Sequence, residues 1–249
     1  MIINTVAAVV TGIKQDHLAI LLCHQKDGSW SLPEKEVSSD EDLDHAASQI
    51  MEQSGCKVTY FRQLYTLGKA DRGNKNRLIT TAYLSLTSPV NTEDEALKWF
   101  SITKTTEYSD SNRRTSLITM ENTEINEKIC YEITDTACDC YIKKDSYIKP
   151  ESTTIIGADH IKLINMAMDE LQLHVISSGL IFSLLPKEFT LKQVQNVYEI
   201  ISGEKKDTSN FRRDILKMVS PVGKTVKTYN KYAELYSFNP LIQYLKGDL

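Results

Sequence analysis

The sequence predicts an α+β fold in two parts: a mixed sheet with helices, then a smaller helical module that ends in a β-hairpin. Three observations carry this. Short β-rich runs dominate the first 155 residues, the composition shifts at Gly157 to apolar residues at helical spacing, and two more β-rich runs follow before the end. At 249 residues, 41% hydrophobic and 25% charged, the chain has enough material for one large core or two modest ones, and two domains fit better.

Thr5 to Val10 and His17 to His24 read as a strand pair, with Gly12 and Asp16 in the turn. After Asp27-Gly28-Ser29, the stretch Asp40 to Gln53 places Leu43, Ala46, Ala47, Ile50 and Met51 on one helical face. Acidic residues gather at its start, where they complement the helix dipole, and Gly55 follows its end. Lys57 to Leu67 and Leu78 to Leu86 read as strands joined by the polar turn K-A-D-R-G-N-K-N-R. Residues 101–155 alternate as an added β element. From Asp159 to Leu185, two helices joined by Ser177-Ser178-Gly179 are expected. Thr190 then starts a helix with Val194, Val197, Tyr198 and Ile201 on one face and a stop at Gly203. A second helix follows Asp207. Pro221 breaks it, and V-K-T-Y and A-E-L-Y-S-F supply two strands, with Gly223-Lys224-Thr225 read as a turn. Helix, turn, helix, hairpin is a winged-helix order. The domains expected are 1–156, a connection at 157–186, and 187–249.

Charge sharpens the second part. The net charge is -4, yet Lys187, Lys192, Lys205, Lys206, Arg212, Arg213, Lys217, Lys224, Lys227 and Lys231 face only Glu188, Glu199, Glu204, Asp207 and Asp214 in that segment. A local positive face is what a phosphate-binding module needs. Asp207 or Thr208 would cap a helix presenting Thr208, Ser209, Asn210, Arg212 and Arg213, with Lys217 one turn on and Phe211, Ile215 and Leu216 as its core seam. Asn and Arg suit base edges, and Lys suits phosphate. Lys224 and Lys227 would lie on the wing. A double-stranded DNA operator is therefore the expected partner.

Five cysteines, an odd and scattered number, are expected to be reduced, and no metal is expected on them. No apolar run approaches the roughly 18 residues of a membrane span, and Ile2 to Val10 lacks the flanks of a leader. A cytoplasmic protein with no membrane partner is expected. Trp30 and Trp99 read as core or pocket wall. Asp159-His160 reads as a helix cap before it reads as a catalytic pair.

Residues 30–56 carry Trp30-x-Leu32-Pro33, an acidic loop, an Ala46-Ala47 helix and Gly55. Y-T-L-G-K-A-D-R and R-L-I-T-T-A-Y-L follow downstream. This frame resembles the Nudix box, in which glutamates one turn apart on a helix hold divalent cations against a diphosphate. Counted back from Gly55, however, Gln49 and Gln53 stand where metal glutamates belong, Ser48 replaces the arginine and Glu52 alone survives. Glu34 and Lys35 replace the loop glycines. Glutamine cannot balance a divalent cation, so no catalytic residue, metal or cofactor is expected.

With D-H-I-K-L-I at 159 and the basic helix at 207, the chain resembles the NrtR family of Nudix-related transcriptional regulators. The resemblance implies a homodimeric regulator, a repressor of metabolic genes. It also implies an effector such as ADP-ribose or another phosphorylated or sugar metabolite, met by Tyr65, Asp71, Arg72, Arg77 and Glu52. The alternative is a Nudix hydrolase of an ADP-ribose-like compound, using Glu52 with Glu41 or Asp44.

Overall fold

The structure is a computed structural model. It describes residues 1–70, 72, 76–88, 94–110, 113–137, 144–157, 159–175, 177, 179–228 and 231–239. The chain divides into two compact units, Met1–Met168 and Asp169–Leu249.

The first unit is built on one mixed sheet. Its strands are β1 (Ile2–Lys14), β2 (His17–His24), β3 (Trp30–Ser31), β4 (Glu34–Glu36), β5 (Lys57–Leu67), β6 (Arg77–Ser88), β7 (Leu97–Asp110), β8 (Arg113–Asn122), β9 (Glu127–Ala137) and β10 (Lys144–Pro150). The order is β10-β9-β8-β7-β2-β1-β6-β5, with β3 beside β2 and β4 beside β1. β1 and β6 pair in parallel, Ile2 to Thr11 against Arg77 to Leu86. A parallel pair needs a crossover, and helix α1 (Leu43–Gln53) lies within that connection. The added β element is β8, β9 and β10, and it continues the same sheet outward from β7.

Side chains alternate across the sheet. Val6, Ala8, Val10 and Tyr83 face α1 and pack with Ala46, Ala47, Ile50 and Met51. Burying Ile50 and Met51 is worth about 1.5–3 kcal/mol each, which orders a helix too short to persist alone. Thr5, Ala7, Thr80 and Ala82 point to the opposite face. There the first turn of α2 (His160–His174) is tied down, and Lys104 of β7, buried, donates to Asn165 Oδ1 at 2.6 Å. Gly157 leads into α2 where the chain passes close to the β3 strand. Its N–H donates to the Trp30 carbonyl at 2.6 Å, and a Cβ there would stand 3.1 Å from Ser29 Oγ. Trp30 and Trp99 are both core residues.

The second unit holds α3 (Leu180–Ser183), α4 (Leu191–Ser202), α5 (Thr208–Ile215), β11 (Val219–Thr228) and β12 (Lys231–Phe238). Thr190 caps α4 through a capping box with Gln193, and Gly203, at φ 73°, ends it. Asp207, not Thr208, caps α5 by accepting the Asn210 N–H at 2.9 Å. Its core is Phe182, stacked on Phe189 and Phe238, with Val194, Val197, Ile201, Phe211 and Ile215. Two expectations are corrected here. Leu216 is exposed at the helix C-cap, because α5 ends at Ile215 and the seam ends with it. Gly223-Lys224-Thr225 is a register shift inside β11, where Gly223 takes φ 75°, because β11 pairs on with β12 as far as Thr228.

Candidate functional site

The α1 face holds the frame of the Nudix-like box. Lys35 lies opposite Val6 in the β4–β1 ladder and so points toward α1. Its Nζ donates to Gln49 Oε1 and to Glu41 Oε1. Gln49 Nε2 is 2.8 Å from His45 Nε2. The bond from Lys35 holds the Glu41 carboxyl below its ordinary value. Nearby, the buried Tyr83 ring sends its hydroxyl to Asp44 Oδ1. Burial, then that carboxylate, pushes the Tyr83 phenol far up. Glu52 and Gln53 are exposed.

These residues do not fit a divalent cation. Such an ion needs several anionic oxygens converging on it. Here a neutral amide and an ammonium stand at the first position. Among the described residues, no group of three His, Cys, Asp or Glu side chains is placed to hold a metal ion.

The other face carries a second cluster. Arg72 Nε and Nη2 donate to Asp159 Oδ2 and Oδ1, both at 2.8 Å. Nη1 reaches the carbonyls of Leu67 at 2.6 Å and Leu78 at 3.4 Å, and Nη2 also reaches Thr80 Oγ1 at 3.1 Å. All five guanidinium protons thus have acceptors. Arg72 fixes the turn after β5 to the start of α2. Beside it, the Leu32 N–H donates to His160 Nδ1 at 3.2 Å, which leaves the ring proton on Nε2, 3.3 Å from Glu34 Oε2. Burial acts to raise the Glu34 carboxyl, but hydrogen bonds from His160, Thr5 and Thr80 outweigh it and hold the group below its usual value. Asp159 follows the same pattern, with Arg72 outweighing burial. The Asp159-His160 dipeptide is therefore a pair of latches at the helix start.

The residues expected to meet an effector are divided by the sheet. Tyr65, exposed, pairs with Ala82 and so stands on the Arg72 face, whereas Glu52 is on α1 across the sheet. Arg77, exposed, donates to the Gly68 carbonyl at 3.4 Å and closes the base of the turn. Asp71 lies outside the described residues. Sequence reasoning passed over Lys35, Glu34 and Thr80 as site residues. The signal for the first two was their place in a loop where glycines belong.

In the second unit, Thr208, Ser209, Asn210, Arg212, Arg213 and Lys217 are all exposed along α5 and its end. Asp214 gathers Lys206, Arg213 and Lys217 at 3.6, 3.9 and 4.0 Å. Gln195, buried in α4, donates to the Lys206 carbonyl at 2.9 Å and to Thr208 Oγ1 at 3.4 Å, fixing the turn between the helices. On β11, Lys227 is exposed and Lys224 pairs with Glu188 at 2.8 Å.

Residues 181–238 match the family model described as the NrtR DNA-binding winged helix domain. That segment is NrtR-like. A curated relative from Acinetobacter baylyi, named "ADPR responsive transcriptional repressor NtrR", is 23% identical over 243 residues, covering 94% of this chain and 81% of that protein. Among solved structures, a MutT/nudix family protein from Enterococcus faecalis is 20% identical with a TM-score of 0.70, covering 96% of this chain and 88% of that one. NrtR from Shewanella oneidensis, solved with a 27mer DNA, is 19% identical with a TM-score of 0.65, covering 97% and 95%. The NrtR-like architecture is thus a Nudix-like mixed sheet with helices, followed by a winged helix that begins near residue 181.

Proposed function

We propose that this NrtR-like protein is a ligand-responsive transcriptional repressor. It binds double-stranded operator DNA through the winged helix and senses ADP-ribose, or a related phosphorylated or sugar metabolite, through a Nudix-like domain that does not hydrolyse it. The observation that carries the reading is the exposed basic face of α5 and β11 inside the segment that matches the NrtR DNA-binding domain. Asn210, Arg212 and Arg213 would read base edges. Thr208 and Ser209, at the helix start, and Lys217, Lys224 and Lys227 would hold phosphates. The name of the Acinetobacter baylyi relative supports both the sign of regulation and ADP-ribose as effector.

Tyr65 and Arg77 are proposed to meet the effector, with Asp71 beside them in sequence and Arg72 holding their turn; Glu52, exposed on α1 across the sheet, is left out of that site. Gln49, Gln53 and the Lys35 ammonium argue against hydrolysis, since they leave no donor set for a metal that would activate water. The protein is proposed to act in the cytoplasm as a homodimer. Effector binding would change operator affinity by a coupling energy of about 1–3 kcal/mol.

The test is a mobility shift on the protein's own promoter region at fixed salt, with and without ADP-ribose. A specific shift that ADP-ribose weakens is expected. Binding that ignores both sequence and ligand would reject the reading. Magnesium-dependent release of AMP from ADP-ribose at enzyme-like turnover would replace it with the hydrolase.

A further inference from the structure

A Nudix-type site takes the cation that faces its ligand from solution. Here the chain carries one of its own. Lys35 sits in β4, which is pinned to β1 through Thr5 opposite Glu36 and Ala7 opposite Glu34. This register aims the side chain at α1, where its ammonium bonds to Gln49 and Glu41. The arrangement is held from behind. Glu41 is only 10% exposed and its second oxygen accepts the Ser38 N–H, while the Gln49 amide turns its nitrogen to His45 and its oxygen to Lys35. The Lys35 side chain is itself 29% exposed, so the ammonium sits in a part-buried place beside its two partners.

We propose that Lys35, bound to Glu41 and Gln49, is a built-in cation that shuts divalent metal out of the α1 face. A metal ion at the Gln49 oxygen would meet a like charge within hydrogen-bond reach, in a part-buried place where screening is weak. The same ammonium would neutralise a carboxylate placed at position 49. Restoring the glutamates of the box therefore does not restore a metal site while Lys35 remains.

The experiment measures Mn2+ binding to the full chain by electron paramagnetic resonance. The proteins are the wild type, Gln49→Glu/Gln53→Glu, and that double variant with Lys35→Met or with Lys35→Arg. The Lys35→Met triple variant is expected to bind Mn2+ at least about tenfold more tightly than the double variant, because only it removes the competing charge. The Lys35→Arg triple should behave like the double. A double variant that binds as tightly as the Lys35→Met triple overturns the proposal, as does a Lys35→Arg triple that binds as tightly as the Lys35→Met one. If the Lys35→Met triple does not fold, the double variant decides alone: tight, saturable Mn2+ binding with Lys35 in place overturns the proposal, and its absence supports it.

Discussion

Arg72 and Asp159 stand 87 residues apart in sequence and meet as a two-pronged ion pair with side chains only 8% and 18% exposed. Removing one partner of such a pair leaves a charge without compensation, so Arg72→Ala or Asp159→Asn is expected to cost about 3–5 kcal/mol. Arg72→Lys should not rescue, since an ammonium cannot reach the carboxylate and the carbonyls together. Urea unfolding followed by circular dichroism checks both, and a loss under 1 kcal/mol would make the pair an ordinary surface bridge. The sign of the pH dependence follows from the depressed carboxyls. Asp159 and Glu34 titrate below their ordinary values in the fold. The unfolded chain therefore takes up their protons first as pH falls. Their contribution is complete above about pH 4–5 and is lost as pH drops through the lower folded values. The melting-temperature gap between wild type and Asp159→Asn should shrink below about pH 4. A gap unchanged at pH 3 would mean that the charge of Asp159 is not what stabilises.

At the scale of elements, α5 is short and polar, and its position depends on Asp207 at its start, Gln195 behind it, and Phe211 and Ile215 beneath it. Loss of the Asp207 cap or the Thr190 capping box by alanine should cost about 1 kcal/mol each, read as a lower unfolding midpoint. The two basic elements should separate by assay. Arg212→Ala is expected to weaken operator binding by about 1–3 kcal/mol and to relax the preference at one or two base pairs. Lys227→Ala should weaken all sequences alike and reduce the slope of log affinity against log salt by about 1. Equal loss of specificity from both substitutions would mean that the wing reads bases too.

For the whole molecule, the proposed homodimer ties operator geometry to symmetry. Two recognition helices would contact half-sites about 10 base pairs apart or a multiple of that, so inserting about 5 base pairs between half-sites should abolish the shift and inserting about 10 should restore much of it. A monomer at assay concentrations by sedimentation, or indifference to spacing, would remove the dimer. The start of α2 is latched to the sheet by Asp159 and His160, and its residues from Asp169 on belong to the second unit.

The local pattern of residues determined much of this fold by itself. Apolar spacing and the flanking residues located α1 and α4, β-rich runs located β2, β5 and β6, and the ten cations from Lys187 to Lys231 marked a basic segment. The two glutamines in the box were also legible, because a metal site needs carboxylates at fixed helical spacing. Other features were not legible. β1 runs on through polar Asn4 and Thr11 because β6 supplies ladder partners in Ile79 and Leu86, and no local pattern announces a partner that lies sixty or more residues away. The sheet's faces, which set Tyr65 and Arg72 apart from Glu52, depend on strand order and register. Lys35 became a cation at the box, and Asp159-His160 became a latch, only when the sheet brought Gln49, Arg72 and Glu34 to them. Propensity acts within a turn or two of chain. Charge pairing and burial act across whatever the fold has placed together, and that placement belongs to the tertiary structure alone.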